Sequence, residues 1–205
     1  EDALRRLVKE RGVKVPEVLG EAAFYGPKID FMSKDSLGRE WQVATIQIDM
    51  NLPERFDLTC VNEKGEDERI VMLHAAIMGS IERFLSVLIE HFQGAFPLWL
   101  SPVQVAVLPI SEKFLKYASQ VSKELQDAGI RVEIHDNDSL GKRIREAGKQ
   151  KTPYVVVVGE KEEGDMTISV RKRGENDGDV QKLDSFIETL LKEIETRASW
   201  TRKLL

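Results

Sequence analysis

Five consecutive apolar residues, Tyr154-Val155-Val156-Val157-Val158, place the strongest constraint on what this chain can fold into. A strand with one wet face alternates polar and apolar residues, whereas an unbroken run suits a strand covered on both faces. The flanking sequence agrees. Residues 103–110 read as a strand, 112–128 as a helix closing on Gly129, 131–136 as a strand and 140–149 as a helix. Residues 167–173 alternate, and a last helix is predicted from near Ser185, which stands in capping-box spacing with Glu188. Its core face would be Phe186, Ile187, Leu190, Leu191 and Ile194. The alternation of strand and helix predicts an α/β sandwich.

The first hundred residues follow another pattern. Leu4, Leu7 and Val8 recur at helical spacing before Gly12, which predicts a short opening helix. Residues 28–33 and 40–50, joined by the turn formers of 34–39, read as an antiparallel hairpin. Residues 70–73 suggest another strand, and the stretch 61–68 reads as a polar loop with a turn at Asn62-Glu63-Lys64-Gly65. The clearest helix is predicted over 77–92, where Ile77, Ile81, Phe84, Leu85, Leu88, Ile89 and Phe92 form one stripe. Gly94, Pro97 and Pro102 then end the periodicity, so the domains are expected to span 1–100 and 101–205.

Charge and cysteine usage narrow the function classes. No apolar stretch approaches the roughly 20 residues a membrane helix needs. The start lacks the apolar core of a secretion signal, and one cysteine, Cys60, cannot form an internal disulfide, so a cytoplasmic protein with no membrane partner is expected. The net charge of -5 argues against wholesale basic coating of nucleic acid. From Pro102 onward 18 Lys+Arg face 18 Asp+Glu, so any polyanion contact must come from placement.

Four clusters carry candidate chemistry. In Glu21-Ala22-Ala23-Phe24-Tyr25-Gly26-Pro27-Lys28 a Gly-Pro turn feeds a strand and would aim Tyr25 and Lys28 at a sheet mouth, although an ordinary surface turn gives the same pattern. Along 41–49, period two places Val43, Thr45, Gln47 and Asp49 on one face and Gln42, Ala44, Ile46 and Ile48 on the other. A row of hydroxyl, amide and carboxylate can grip a small polar ligand, or can simply be a solvent face. Gly79, Ser80, Arg83 and Ser86 lie opposite the apolar helix stripe, where Arg83 suits a phosphate or a purine, or plain exposure. Further on, Lys142, Arg143, Arg145, Lys149 and Lys151 crowd one helix and its exit, while Thr167, Ser169, Arg171 and Arg173 share a strand face preceded by a charged turn with Glu162. RNA contact and a solvated charge run both account for these. His74 has no second histidine or cysteine at metal-ligand spacing.

Together and in this order, Gly20-Glu21-Ala22-Ala23-Phe24-Tyr25-Gly26-Pro27-Lys28, Trp41-Gln42 with Thr45-Ile46-Gln47, His74, and Gly79-Ser80-Ile81-Glu82-Arg83-Phe84 resemble the closing half of a threonyl-tRNA synthetase core. The last of these is similar to the third class II motif. Ser101-Pro102-Val103-Gln104-Val105 and the α/β pattern after it resemble the family's anticodon-binding domain. The resemblance implies a partial α+β antiparallel class II core followed by an α/β anticodon-binding domain with a mixed, largely parallel sheet. It implies ATP-dependent activation of threonine and transfer to tRNA-Thr, with Mg2+ accompanying ATP. Arg83 would stack on adenine and contact the phosphates, with Lys28 and Gln42 near the reacting groups. Tyr25, Gln47 and Ser80 would line the threonine pocket beside Thr45. His74 would be one of three ligands of a Zn2+ ion that binds the substrate amino and hydroxyl groups. Glu162 and Arg171 would read anticodon bases, and Lys142, Arg143 and Arg145 would meet tRNA phosphates. The first two class II motifs are absent from these residues, so the stretch alone is expected to be inactive as a C-terminal portion of a homodimeric parent, and itself monomeric. A noncatalytic, synthetase-like tRNA-binding protein is the alternative.

Overall fold

A computed structural model describes residues 1–175 and 177–198, in two compact units that divide between His91 and Phe92. The first unit runs α1 (Asp2–Glu10), β1 (Lys28–Lys34), β2 (Glu40–Asp49), α2 (Asn51–Arg55), β3 (Thr59–Val61), β4 (Asp67–Arg69), β5 (Met72–Ala76) and α3 (Ile81–Phe92). Strands β1, β2 and β5 form an antiparallel sheet in that order, and β3 and β4 pair as a separate hairpin.

Side chains set the turns of this unit. Asp35 Oδ1 accepts the backbone N–H groups of Leu37 and Arg39, which closes the connection between β1 and β2. Asn62 does the same for Lys64 and Glu66. The predicted turn at 62–65 is therefore present, but the stretch read as a loop contributes to two strands whose exposed residues give no alternation to read. Strand β5 starts at Met72, later than the predicted 70–73. Helix α3 starts at Ile81 rather than 77, because Met78 and Gly79 sit at φ 65° and 50°, in the left-handed region that a helix cannot include.

Few apolar groups in this unit are fully covered. No residue of α3 is buried, and Ile81, Leu85 and Ile89 are exposed together with Ile46 and Leu73 of the sheet. The amphipathic stripe read from the sequence is real, and only part of it finds a neighbour among these residues: Phe84, Val87 and Leu88 line a small cavity with Val43 and Ser33.

The second unit opens with a 3-10 turn at Leu98–Leu100 and continues as β6 (Val105–Pro109), α4 (Leu115–Asp127), β7 (Val132–Ile134), α5 (Leu140–Lys149), β8 (Tyr154–Val158), α6 (Glu160–Asp165), β9 (Ile168–Lys172), β10 (Asp179–Gln181) and α7 (Leu183–Glu195). Its sheet has the order β10-β9-β8-β6-β7; β7, β6 and β8 are parallel, and β9 and β10 add antiparallel pairs. Val105, Val107, Val156, Val158, Ile168 and Val170 pack with Val121 and Leu125 of α4 and Phe186 and Leu190 of α7. Ala106, Leu108, Val155 and Val157 pack on the other side with Ala147 and Ile144 of α5. Strand β8 is thus covered on both faces, which is why its sequence shows no alternation.

Three differences from the sequence reading have local causes. The units divide ahead of the expected 100/101 boundary because 93–98 packs within the second unit. Leu98 is fully buried there, Arg173 donates to the carbonyls of Ala95 and Phe96 at 3.0 and 2.8 Å, and Lys151 donates to that of Gln93. Helix α7 starts at Leu183 with Lys182 at its N-cap, and Ser185 lies inside the helix: burial of Leu183 fixes the start, and no side chain caps it. Glu162, expected in a turn, lies in α6, whose first turn it closes by accepting the Gly159 N–H at 3.0 Å.

Candidate functional site

A register irregularity in the first sheet assembles a polar face that strict alternation would have split. Phe31 pairs with Ala44 and Met32 with Gln42, so Val43 is an extra residue on β2. Such a bulge switches which side chains share a face. Gln42, expected opposite Thr45 and Gln47, instead donates through Nε2 to Asp30 Oδ1 at 2.9 Å, and Asp30 pairs with Thr45. Lys28 pairs with Gln47 and makes a 2.6 Å ion pair with Asp30, and its ammonium pKa is raised by that hydrogen bond. Gln47 in turn pairs with His74 of β5. Lys28, Asp30, Gln42, Thr45, Gln47, Asp49 and His74 therefore occupy one face.

The polar groups on this face are held in place. The Tyr25 hydroxyl donates to Gln47 Oε1, and the Tyr25 ring stands 5.3 Å from the His74 ring. Gly26 is required by close approach, since a Cβ there would lie 2.0 Å from the Ile48 carbonyl oxygen. Thr45 Oγ1 is buried and has no hydrogen-bond partner. A buried hydroxyl costs free energy until something pairs with it, so this one is available to a polar partner.

The margin of the site is built on the bulge. Arg83 Nη1 donates to the Gln42 carbonyl at 3.2 Å, and its guanidinium lies 5.6 Å from the centre of the Trp41 ring. Arg39 lies 5.5 Å from that ring, and Trp41 Nε1 donates to Asp35 Oδ2 at 2.9 Å. The hydrogen bond from Trp41 first, with those from Arg39, holds the Asp35 carboxyl at about 2 against the opposing effect of burial. Gly79 approaches this edge too, where a Cβ would meet the Val43 carbonyl oxygen at 3.1 Å. Ser80 donates to Glu82 Oε2 at 2.9 Å and accepts the Arg83 N–H, at the entry to α3.

His74 Nε2 lies 2.8 Å from Oδ2 of Asp49, whose side chain is fully buried and whose Oδ1 accepts the N–H groups of Asn51 and Leu52. Burial pushes the Asp49 carboxyl up, but the hydrogen bonds from His74, Leu52 and Asn51 outweigh it and hold it below its ordinary value. No group of three His, Cys, Asp or Glu among the described residues could hold a metal. The donor set fits a single zinc ligand, one imidazole nitrogen backed by a carboxylate, and no more. Asp30 and Asp35 are the site residues that the sequence reading passed over; Asp49 was placed on the polar face with Thr45 and Gln47, but its pairing with His74 was not read.

In the second unit, helix α5 covers only part of one sheet face. Register puts Ser169 opposite Val157 and Arg171 opposite Val155, the face on which α5 lies, at the strands α5 leaves uncovered. Arg171 Nε is buried without a partner. Arg145 is exposed, and Lys142 is exposed in a 2.9 Å ion pair with Asp138. Arg143 is corrected from a phosphate contact to a structural pin: it is buried, and Nη1 donates to the carbonyls of Pro109 and His135 at 2.8 and 2.7 Å. Arg173 and Lys151 are likewise committed to backbone carbonyls. Glu162 sits just past the C-terminal end of β8, beside β6, where the chain crosses from one side of β6 to the other; open α/β sheets bind ligands at such switch points.

Comparison with known proteins adds to this geometry. Residues 1–92 match the family model described as tRNA synthetase class II core domain (G, H, P, S and T), and residues 104–193 match the anticodon binding domain. The threonine–tRNA ligase of Clostridioides difficile (strain 630) is 52% identical over 200 residues, covering 97% of this chain and 31% of that protein. That of Thermus thermophilus is 49% identical over 198 residues, covering 96% of this chain and 30% of the relative. Among solved structures, the RNA binding domain of threonyl-tRNA synthetase from Cryptosporidium parvum Iowa II superposes with a TM-score of 0.82 at 38% identity, covering 93% of this chain and 49% of that one.

Proposed function

From the premise that this chain belongs to the threonyl-tRNA synthetase family, and spans about 31% of the length of the curated relatives it matches, we propose that it is part of a threonine–tRNA ligase. In this reading the first unit contributes to activation of threonine by ATP, and the second holds tRNA-Thr near its anticodon. The single observation that carries the reading is one polar sheet face, on which the strand register sets Lys28, Thr45, Gln47 and His74 together and the bulge at Val43 adds Gln42, with Arg83 at its edge.

Arg83 pairs with the ATP phosphates and stacks on adenine, tasks that suit a planar, permanently charged group. Lys28 stands near the reacting phosphate, its charge kept by Asp30. Gln47, held by Tyr25, and the orphaned Thr45 hydroxyl meet the polar groups of threonine, with Gln42 and Ser80 close by. A site with such groups rejects an isostere that leaves them unpaired. His74 supplies one nitrogen to a zinc ion that needs further ligands from outside these residues; the ion, when bound, serves as a Lewis acid for the substrate amino and hydroxyl groups. Mg2+ accompanies ATP. Arg171 and Glu162 read anticodon bases, while Lys142 and Arg145 meet phosphates. A cytoplasmic setting and a homodimeric whole protein complete the proposal; no described helix is long and apolar enough to cross a membrane.

The test is threonine-dependent ATP–pyrophosphate exchange by the native gene product, together with its intact mass and zinc content. Exchange with threonine and not valine, lost in Thr45→Val, is expected. A 23.3 kDa product that binds tRNA without exchange or zinc would favour the noncatalytic tRNA-binding alternative. In the second unit, Arg171→Ala should weaken binding of the cognate anticodon stem selectively; an equal loss for every tRNA would contradict base reading.

A further inference from the structure

Arg83 is exposed in the first turn of α3 and makes no ion pair among the described residues, yet its guanidinium is held by two groups. Nη1 donates to the Gln42 carbonyl at 3.2 Å, and the guanidinium carbon lies 5.6 Å from the centre of the Trp41 ring. Both partners are neutral. A carbonyl and an aromatic face offer only partial negative charge, so they orient a cation and leave its full charge to an anionic ligand. Arg39, 5.5 Å from the same ring, differs: its Nε lies 2.6 Å from Asp35 Oδ2, which already compensates its charge.

The indole that orients Arg83 is itself fixed. Trp41 Nε1 donates to Asp35 Oδ2 at 2.9 Å, and the buried Asp35 carboxylate also accepts the Leu37 and Arg39 N–H groups that close the turn between β1 and β2. Gly79 brings the entry of α3 against the next residues of β2, since a Cβ there would meet the Val43 carbonyl oxygen at 3.1 Å. The helix that carries Arg83 and the strand that carries Trp41 are therefore set by a close backbone approach.

We propose that Trp41 is a positioning residue for ATP: its indole, anchored by Asp35, holds the Arg83 guanidinium ready for the nucleotide. The proposal deepens the ligase reading and rests on it for the identity of the ligand; the contact between indole and guanidinium stands without it. An exposed arginine loses rotamer freedom when it binds, and holding it beforehand removes part of that cost. Trp41 touches no substrate and acts through Arg83.

The native gene product is compared as wild type, Trp41→Leu, Trp41→Phe, Arg83→Gln and Trp41→Leu with Arg83→Gln, by equilibrium binding of magnesium ATP and, separately, of threonine. Trp41→Leu keeps an apolar side chain and removes the π face, so ATP affinity should fall about 2- to 5-fold, the worth of one exposed cation–π contact, with threonine affinity unchanged. Phenylalanine keeps a π face, and Trp41→Phe should restore most of the loss. In the Arg83→Gln background Trp41→Leu should cost no further ATP affinity, the non-additivity expected when one residue acts through the other. Fluorescence reads the contact without any change at Trp41: Arg83→Gln should alter the emission of the unliganded protein, and should leave it unchanged in a Trp41→Phe background.

Equal losses for ATP and threonine, a further loss from Trp41→Leu in the Arg83→Gln background, or an emission indifferent to Arg83→Gln would overturn the proposal. The last of these decides even if Trp41→Leu does not fold. Loss of ATP affinity in Arg83→Gln with none in Trp41→Leu would overturn the positioning role alone and leave the ligase reading intact, whereas wild-type ATP affinity in Arg83→Gln would overturn both the proposal and the assignment of Arg83 to ATP.

Discussion

Replacing Arg143 with methionine should destabilise the second unit severely while leaving its exposed cationic surface in place. Methionine refills most of the space of the arginine stem, so the change isolates the guanidinium. That group is buried and donates to two carbonyl oxygens, of Pro109 at the end of β6 and of His135 just past β7. A hydrogen bond from a charged donor contributes about 1.5–3 kcal/mol. Taking the lower figure for both gives about 3 kcal/mol, and the carbonyls left without their donor add to it. In a domain of this size each kcal/mol moves the melting temperature by about 4–8 °C, so a fall of about 12 °C or more is expected. The assay is urea and thermal unfolding of the 205-residue chain, read by hydrogen exchange of the β8 amides, with Arg145→Met as the matched control. Arg145 is exposed, and its loss should change stability by less than about 0.5 kcal/mol. Equal stability of the two variants, with tRNA affinity lost only in Arg143→Met, would refute the structural role and return this guanidinium to the RNA surface.

The first unit yields two further tests. The folded-state pKa of Asp35, about 2, lies below the usual value near 3.8, so its stabilisation is present above about pH 4 and is lost as pH falls toward 2. Acid titration of the Trp41 environment should show that step in the wild type and lose it in Asp35→Asn; an identical acid profile in both would show that the carboxylate does not hold the indole. Gly26→Ala would set a Cβ 2.0 Å from the Ile48 carbonyl oxygen, and the forced shift should cost about 1–3 kcal/mol. Faster hydrogen exchange in β2 checks it, and unchanged protection there would mean that the turn relaxes freely.

Much of the second unit was readable because its elements are stabilised by the property that periodicity measures. The run 154–158 has no polar residue since both of its faces are covered, and α5 begins and ends where its pattern does. The short α6 and β10 were not readable, because they depend on single contacts such as Glu162 with Gly159 and on pairing with β9. Arg143 and Arg145 look alike in sequence. Only the packing of α5 against β6 and β8 turns one inward, onto the Pro109 and His135 carbonyls, and leaves the other exposed.

For the candidate site, the sequence by itself determined which chemical groups exist and in what order: a hydroxyl, amides, an imidazole and a guanidinium on a hairpin, a strand and a helix. Tertiary structure alone decided which of them meet. A two-residue period is a property of an unbroken strand, and the extra residue at Val43 breaks it, so Gln42 joins Thr45 and Gln47 rather than opposing them. His74 and Asp49, 25 residues apart, become partners through the β2–β5 register. A register is a long-range choice, made by the burial and hydrogen bonding of whole strands, and no local spacing encodes it.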